Sequence, residues 1–489
     1  MSSLAVTRTS TRLLPDSARV ITKPFLPGEH VFPDGQSRVE KILKRILGLT
    51  ETEVIETLTA THRVFANRHE SMTEVFHRNF EEVVGHIDRP EDLSLDRRML
   101  IGAYFTHEFS IEAAALNNPS IVPSPDQTGL RPGELRFIMS LRAIGEGHIS
   151  SIEFRSGVIG SDGQPRIDDP GPDPQTGRRT PALYDKAFFT TRLMELGAFN
   201  DISSAILESL TDQFTIQQVE TAILDLDRQG VDRAIAFETS RTIHWLASSN
   251  YALEFDQGSI LSDRVIFPAG PTESRGMEDA RFVRFTEDDG SVRYFATYTA
   301  FDGLQILPQL IDTRDFVSFR IATMGGIRAV NKGIALFPRK IGGQFVALSR
   351  YDNENNYLMF SDSVRFWNEA ERLQVPKLPW ELVQIGNCGS PLETEAGWLV
   401  ITHGVGPVRQ YSLGAILLDK EDPRKVVGHL SEPILVPDED EREGYVPNVV
   451  YSCGSLIHDD ILVLPYGYAD QATRIATVPV DDLLSRLVG

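Results

Sequence analysis

The densest group of charged residues in the sequence is the segment Arg-Gly-Met-Glu-Asp-Ala-Arg, which ends at Arg281. Glu278 and Asp279 are adjacent carboxylates between a Gly/Pro turn and a predicted strand at Phe282–Phe285. Neighbouring side chains of a strand point to opposite faces, so an extended backbone allows only one of the two to face a cavity. That carboxylate is available to a ligand. The alternative is a salt-bridged turn without a functional role.

Polar residues at predicted strand ends, bracketed by glycines, recur further along the chain. Lys332 precedes an apolar strand and lies outside any run of charges, and His403 ends a strand and is followed by glycine. Comparable segments are residues 386–391, 444–454 and 465–470. A β-propeller builds a site on its axis by presenting such residues from one blade after another.

The sequence contains no standard signature of a cofactor or metal site. It has no P-loop, dinucleotide fingerprint, CxxC or HExxH motif, and its 11 histidines are scattered. We therefore predict no metal and no cofactor, and a surface or helix-face role for most histidines.

Composition excludes several classes of protein. The 489 residues include 48 Lys and Arg against 69 Asp and Glu, a net charge of −21, which disfavours nucleic acid and anionic membranes as partners. Two cysteines are too few for a disulfide framework, and no run of 18 apolar residues occurs. The expectation is a soluble cytoplasmic protein of two to four domains, or one large β domain with additions.

The pattern of apolar residues changes near residue 116. Residues 1–34 are predicted to form an extended lead-in, and helical spacing over residues 35–115 predicts a helical region, with a capping box from Thr50 to Glu53. The first four helices are expected to begin near Ser37, Thr50, Met72 and Asp96, the last reaching Leu116.

Residues 116–489 are predicted to be mainly β, with a helical insertion at 183–229. Short apolar runs alternate with Gly, Asp and Pro turns. Five short strands end alike, and they begin at His244, Phe319, Tyr357, Leu413 and Arg474. This weak repeat favours a five-bladed β-propeller, with a β-sandwich as the alternative.

Together these segments resemble glycoside hydrolase family 130, the inverting β-mannoside phosphorylases and β-1,2-mannosidases, whose fold is a five-bladed β-propeller. The matching pieces run in order from about residue 236 to the C-terminus, and the first-blade strand ending at Arg142 precedes them. They begin at Glu278 (Glu-Asp-Ala-Arg for the family's Glu-Asp-Pro-Arg), Tyr298, Asn331, Gly397, Leu417, Val446 and Tyr466.

The resemblance implies a role for each matching residue. Asp279 would be the general acid, with its proton passing through a hydroxyl of the bound mannose. The substrate-binding residues would be Arg142, Glu278, Tyr298, Asp302 and Asp470. The residues facing phosphate or water would be Arg314, Lys332, Arg350 and His403.

The sequence leaves open whether phosphate or water is the nucleophile. Phosphate is already an anion and needs only cations to hold it, whereas water needs a general base. Phosphorylases of the family usually carry basic residues just after the Tyr-Thr segment, but residues 301–305 here are acidic and neutral, and Asp302 is a candidate base. The expected reaction is phosphorolysis to mannose 1-phosphate with inorganic phosphate as co-substrate. The alternatives are a β-1,2-mannosidase and a non-catalytic sugar-binding propeller.

The expected partner is a small β-mannoside oligosaccharide. The N-terminal helices are candidates for a homo-oligomer surface or a lid over the propeller mouth, and the alternative is a packing addition that covers an edge.

Overall fold

The computed structural model of the chain describes residues 4–28, 37–65, 68–69, 71–227 and 233–487. The chain divides into two compact units. One contains Met1–Pro15, Ala114–Pro170 and Thr176–Gly489, and the other contains Asp16–Ala113 and Gly171–Gln175. Among the described residues, no helix is long and apolar enough to cross a membrane.

The unit built on Asp16–Ala113 is mostly helical. Its α-helices are Arg38–Leu47, Glu51–Phe65, Met72–Glu81 and Leu95–Tyr104. Short 3₁₀ turns lie at Val84–His86 and Pro90–Asp92, and the strands Val20–Pro24 and Thr106–Ser110 pair antiparallel.

Local capping explains where these helices begin. The capping box predicted at Thr50 is confirmed, because Glu53 Oε2 accepts from the Thr50 amide (2.7 Å) and Thr50 Oγ1 accepts from the Glu53 amide (3.3 Å). Ser37 caps the helix that follows it in the same way. The helix predicted to reach Leu116 ends at Tyr104 instead, and the strand Thr106–Ser110 follows.

The larger unit is mainly β and contains five groups of antiparallel strands, which we call strand groups 1 to 5. Group 1 is Ala115–Pro123, Leu135–Ile144, Ser150–Ile159 and Pro165–Ile167. Group 2 is Gly276–Thr286, Val292–Phe301, Ile306–Thr313 and Ser318–Thr323, extended by Tyr251–Glu254 and Arg178–Pro181. Group 3 is Ala335–Leu336, Phe345–Ser349, Asn356–Ser361 and Glu369–Gln374. Group 4 is Gln384–Asn387, Leu392–Thr394, Gly397–Val405, Tyr411–Leu418 and Val426–His429. Group 5 is Val450–Tyr451, Leu456–His458, Ile461–Tyr468, Ala472–Pro479 and Thr7–Leu13.

The two ends of the chain meet in group 5. Thr7–Leu13, inside the predicted lead-in, pairs antiparallel with the last strand, Ala472–Pro479. Groups 1 and 2 are joined by one parallel pair, Ser150 with Gly276. Gly276 has φ +133°, and a Cβ there would lie 2.4 Å from Ser150 Oγ, so this junction requires glycine.

A helical insertion separates groups 1 and 2. Its helices are Lys186–Glu195, Asp201–Ser209, Ile216–Asp227 and Arg233–Ser248. The prediction of a strand beginning at His244 was wrong, because residues 244–248 are the last part of the fourth helix. The other four repeated segments lie in strands, as predicted.

The remaining elements are short. They are the strands Gln175–Thr176, Tyr184–Asp185, Gln213–Phe214 and Arg264–Val265, the helix Val480–Leu484, and the 3₁₀ turns Glu146–His148, Leu261–Asp263, Pro271–Glu273, Pro407–Arg409 and Glu439–Glu441.

Candidate active site

The first strands of the strand groups meet at one place. The Phe282 amide of group 2 donates to Ser120 Oγ of group 1 (3.0 Å). The Cys453 amide, which follows the first strand of group 5, donates to the Pro119 carbonyl (2.8 Å). Residues more than 160 positions apart are therefore held in direct contact by buried hydrogen bonds.

Arg281 connects group 2 to groups 4 and 5 at this centre. Its guanidinium is buried and donates to Asn387 Oδ1 of group 4 (2.8 Å) and to the Tyr451 hydroxyl of group 5 (2.6 Å). Asn387 in turn donates to the carbonyl of Gly333, which lies just before group 3 (2.7 Å). No role was predicted from the sequence for Arg281 or Asn387, although Arg281 ends the Glu-Asp-Ala-Arg motif and Asn387 lies in the candidate segment 386–391.

A break in the strand ladder turns both carboxylates of that motif toward one arginine. The pairing register shifts between Glu278 and Arg281, and Asp279 has φ +57°. A bulge with a left-handed residue rotates the following side chains out of strict alternation. Arg142 consequently contacts Glu278 Oε1 at 2.6 Å and Asp279 Oδ1 at 4.0 Å. The extended backbone under which only one of the two carboxylates could face a cavity is therefore not present at Asp279.

Asp279 lies in a polar, cationic environment. Asn118 donates to Asp279 Oδ1 (2.6 Å), and Lys332 forms an ion pair with the neighbouring Glu278 (2.5 Å). Burial opposes ionisation of Asp279, but the charges of Arg142, Lys332 and Arg281 hold its pKa below the ordinary value. Asp279 is therefore an ionised carboxylate in the free protein at neutral pH.

The residues opposite this motif belong to the first strand of group 1. Its register shifts between Asn117 and Ser120, and Asn118 has φ +49°. Asn117 Nδ2 donates to Asp470 Oδ1 (3.2 Å), and Asn118 contacts Asp279. From the sequence, Asn-Asn-Pro marked only the change from helical to strand patterning, and no site role was predicted for it. The two adjacent amide side chains before proline were the signal that could have indicated one.

Asp470 differs from Asp279 in its electrostatics. It sits in the turn between the last two strands of group 5 with φ +52°. Burial raises the pKa of Asp470 above the ordinary value, and the charge of Arg142 only partly offsets that effect. The charge of Arg142 thus acts on two carboxylates, Asp279, whose pKa is lowered, and Asp470, whose pKa is raised.

This difference predicts opposite pH effects of two isosteric variants. Burial makes the folded protein bind the Asp470 proton more readily than the unfolded chain, so stability falls as pH rises from the ordinary Asp range through the raised folded pKa. Asp470→Asn should therefore raise Tm at neutral pH, with the gain disappearing in acid. Asp279→Asn, the matched control, should lower Tm at neutral pH, and this loss should vanish as pH falls through the lowered pKa of Asp279. Melting curves from acid to neutral pH measure both, and equal slopes for the two variants would contradict the assignment.

Lys332 precedes the first strand of group 3, Arg350 follows the second strand of that group, and His403 lies in group 4. A Cβ built on Gly333 would lie 3.6 Å from Arg350 Cβ, so Arg350 adjoins the segment that carries Lys332. Arg350 is 3.1 Å from Nε2 of His403, which must accept because arginine only donates. His403 is 1% exposed, and burial, with the charges of Arg350 and Arg281, lowers its pKa well below the ordinary value. A neutral His403 therefore positions Arg350.

Arg314 lies elsewhere. It follows Thr313, which pairs with Tyr294, and Tyr294 pairs with Arg284. Arg284 is five residues beyond Asp279 along the strand, which corresponds to about 17 Å at roughly 3.4 Å per residue. The structure places Arg314, predicted to face phosphate, at the opposite end of group 2.

Asp302 and Tyr298 have partners of their own. Asp302 Oδ1 accepts from the amides of Leu304 and Gln305 and so caps its own turn. Tyr298 is buried and donates to Glu273 Oε1 (2.8 Å), which Tyr251 also contacts. Among the described residues, neither of them hydrogen-bonds to Asp279 or Glu278, although Tyr298 and Asp279 line the same small cavity.

The Tyr298 contact predicts a structural role. Tyr298→Phe should lower the free energy of unfolding by about 1–2 kcal/mol, because it removes one of the donors to a fully buried carboxylate. The same variant should leave the KM for a sugar substrate unchanged. Denaturant unfolding and steady-state kinetics measure the two effects, and an increase in KM without a loss of stability would instead place Tyr298 at the substrate.

Among the described residues, no group of three or more His, Cys, Asp or Glu side chains is arranged to hold a metal ion. The polar set around Asp279 instead combines carboxylates, amides and cations, which suits a ligand with hydroxyl groups and an anion.

Comparisons with known proteins identify the proteins that this chain is similar to. Residues 256–488 match the family model Glyco_hydro_130, described as beta-1,4-mannooligosaccharide phosphorylase. A 1,2-beta-oligomannan phosphorylase of Thermoanaerobacter sp. is 36% identical over 219 residues, 43% of this chain and 71% of that protein. A beta-1,2-mannobiose phosphorylase of the same organism is 36% identical over 221 residues, 42% of this chain and 68% of that protein. A solved beta-1,2-mannobiose phosphorylase from Listeria innocua is 19% identical, with a TM-score of 0.45, over 78% of this chain and 93% of that chain.

Proposed function

The chain belongs to glycoside hydrolase family 130, and from that premise we propose that it cleaves β-mannosides by phosphorolysis. A phosphate oxygen attacks the anomeric carbon of the terminal mannose while the bond from that carbon to the glycosidic oxygen breaks. The leaving oxygen takes a proton that originates on Asp279, and the products are mannose 1-phosphate and the shortened sugar. Attack from the face opposite the leaving group inverts the configuration.

The proposed architecture is a five-bladed β-propeller with one blade for each strand group. Three observations support it. There are five antiparallel groups among the described residues, their first strands meet around Arg281, and the N-terminal strand joins the last group. The meeting point then lies on the propeller axis, with the helical insertion between the first and second blades.

The observation that carries the proposal is the placement of Asp279 beside the cations Arg142 and Lys332. An ionised Asp279 has no proton to give in the free protein. Arrival of a phosphate anion beside these cations offsets their charge and raises the pKa of Asp279 toward the range of a general acid. A hydroxyl of the bound mannose then relays the proton to the leaving oxygen.

Arg142 and Asp470 would hold the mannose. Nε of Arg142 is buried and has no hydrogen-bond partner among the described residues, and the same is true of Oδ1 of Asn117. Buried polar groups are nearly always paired, so a polyhydroxylated ligand between these residues fits them.

Lys332 and Arg350 would hold the phosphate, with His403 fixing Arg350. Phosphate takes charge-assisted hydrogen bonds from both kinds of cation, and arginine adds a planar fork of donors. No second carboxylate is required for this reaction.

Hydrolysis is the second candidate, and the lack of basic residues at 301–305 favours it. It would require a base for water, and Asp302 already accepts two amide hydrogens of its own turn. Incubating β-1,2- and β-1,4-mannobiose with and without phosphate separates the reactions, because phosphorolysis gives mannose 1-phosphate only with phosphate. Free mannose at the same rate under both conditions would establish hydrolysis, and sugar binding without turnover would establish a binding propeller.

The proposed partner is a β-mannoside oligosaccharide, and the cytoplasm is the proposed location because both cysteines are buried and free. The helical unit is proposed to mediate a homo-oligomer. Comparing the mass in solution of the full chain with that of a chain in which residues 16–113 are replaced by a short linker tests this role and keeps the strand Thr7–Leu13 in group 5.

A further inference from the structure

The turns between the second and third long strands of each group lie at the same end of the molecule as Asp279. They are residues 145–149, 302–305, 350–355, 406–410 and 469–471. Arg142 is two residues before its strand ends at Ile144, and Asp470 is part of its turn. In the proposed propeller, these five turns form the rim around the proposed mannose site.

The turn of group 1 has an unusual backbone. Gly147 and His148 have φ of +64° and +58°, and the Ile149 amide donates to the Glu146 carbonyl (3.4 Å). Two successive left-handed residues define a type I′ turn, in which glycine is preferred. Glycine adopts this left-handed conformation at lower cost than histidine. Packing in a core does not account for the histidine side chain, because His148 is exposed.

Tyr445 is held beside the turn of group 5. The amide of Val446 donates to the carbonyl of Ala469 (2.9 Å), and a Cβ built on Gly444 would lie 2.6 Å from Ala469 Cβ. This close approach places Tyr445 next to Asp470. The Tyr445 side chain is 62% exposed.

The two rings form one surface. The ring centroids of His148 and Tyr445 are 5.6 Å apart, and their planes differ by 31°. The surface joins the turn that follows Arg142 to the turn that carries Asp470, the two residues proposed to hold the mannose. Two further aromatic side chains of groups 4 and 5, Trp398 and Tyr466, do not reach solvent, because both are fully buried.

We propose that His148 and Tyr445 form the platform on which the departing sugar of the β-mannoside stacks, the unit bonded to the mannose through the scissile oxygen. This inference rests on the proposed function and extends it to the acceptor side of the site. Aromatic rings provide a flat apolar face for a hexose ring, and the imidazole and phenol edges provide polar atoms for its hydroxyls. The acceptor would therefore be a second hexose that presents an apolar face, and not a flexible polyol.

Calorimetric titration of the full chain with β-1,2-mannobiose, β-1,4-mannobiose and mannose tests the platform. Tyr445→Ala should weaken mannobiose binding about 5- to 10-fold, an effect of the size expected for loss of one stacked ring, and should leave mannose binding unchanged. Tyr445→Phe keeps the ring and should restore most of the affinity. Tyr104→Ala, which removes a 47% exposed tyrosine of the helical unit, is the matched control.

His148→Gly adds a second, independent variant. Glycine relieves the left-handed strain, so Tm should be unchanged or raised while mannobiose binding weakens. A variant that binds more weakly although it is at least as stable excludes misfolding as the cause. In the synthetic direction, both variants should raise the KM for the acceptor sugar and leave the KM for mannose 1-phosphate unchanged.

The outcomes separate this inference from the proposed function. Mannobiose affinity that is unchanged in Tyr445→Ala and His148→Gly would overturn the platform, whatever the activity. Weakened affinity in a protein that binds mannobiose without cleaving it would support the platform and overturn phosphorolysis. An unmodified protein that binds neither mannobiose would overturn both.

Discussion

Replacing Asp279 with asparagine should lower kcat for β-mannoside cleavage by about 10³-fold. The expectation follows from removing the only carboxylate that combines contact with Arg142, an Asn118 hydrogen bond and a left-handed backbone position among the described residues. Positioned acid–base groups contribute about 10²- to 10⁴-fold to a rate. Asparagine keeps the shape and accepts the Asn118 hydrogen bond but cannot supply a proton. Sugar release at saturating phosphate measures the effect.

Asp302→Asn is the matched control for this experiment. The asparagine side chain would still accept the amides of Leu304 and Gln305 through its carbonyl oxygen, so the turn should persist. Under phosphorolysis this variant should keep its rate within about twofold. A loss as large as that of Asp279→Asn would instead make Asp302 the base of a hydrolytic reaction. Full activity of Asp279→Asn would dismiss Asp279 as the proton donor.

The sequence could indicate which residues take part in the site but not how the backbone turns them. The Glu-Asp-Ala-Arg motif stood out from its charges alone. That Glu278 and Asp279 both face Arg142 depends on one left-handed residue, and asparagine and aspartate adopt that conformation only where the surrounding structure requires it. The position of Arg314 could not be predicted either, because the pairing register of three strands decides at which end of group 2 it lies.

The fold was predictable where the apolar pattern is long and regular. The strands around Leu135, Tyr294 and Ile461 and the capped helix after Thr50 are confirmed. The segment at His244 reads as a strand because a short apolar run has no distinct period, and only the preceding helical residues reveal its type. The strand Thr7–Leu13 has almost no apolar residues, and its pairing with a strand more than 450 positions away leaves no local signal.

Glu278 connects the sugar side of the site to the phosphate side. It forms ion pairs with Arg142 through one oxygen and with Lys332 through the other. Lys332 keeps 31% of its side chain exposed, so its remaining donors can reach a ligand. Phosphate binding to Lys332 would then weaken the hold of Glu278 on that lysine and strengthen its pairing with Arg142.

This arrangement predicts that Lys332→Ala should raise the KM for phosphate about 30-fold and leave the KM for the oligosaccharide within about twofold. A hydrogen bond to a charged group contributes roughly 1.5–3 kcal/mol, which corresponds to about 10- to 150-fold in affinity. The sugar side should be spared because Arg142 still pairs with Glu278. Initial rates over a matrix of phosphate and oligosaccharide concentrations measure both constants.

Lys340→Ala is the matched control, because Lys340 also pairs with a carboxylate, Asp288 at 2.7 Å, but in a different loop. Lys340→Ala should leave the KM for phosphate and the KM for the oligosaccharide unchanged. Equal changes in Lys332→Ala and Lys340→Ala would instead indicate a general effect of losing one positive charge from an acidic protein. A phosphate KM that Lys332→Ala does not move would place the nucleophile away from Lys332. Rates that do not depend on phosphate at all, in either variant or in the unmodified chain, would require water as the nucleophile.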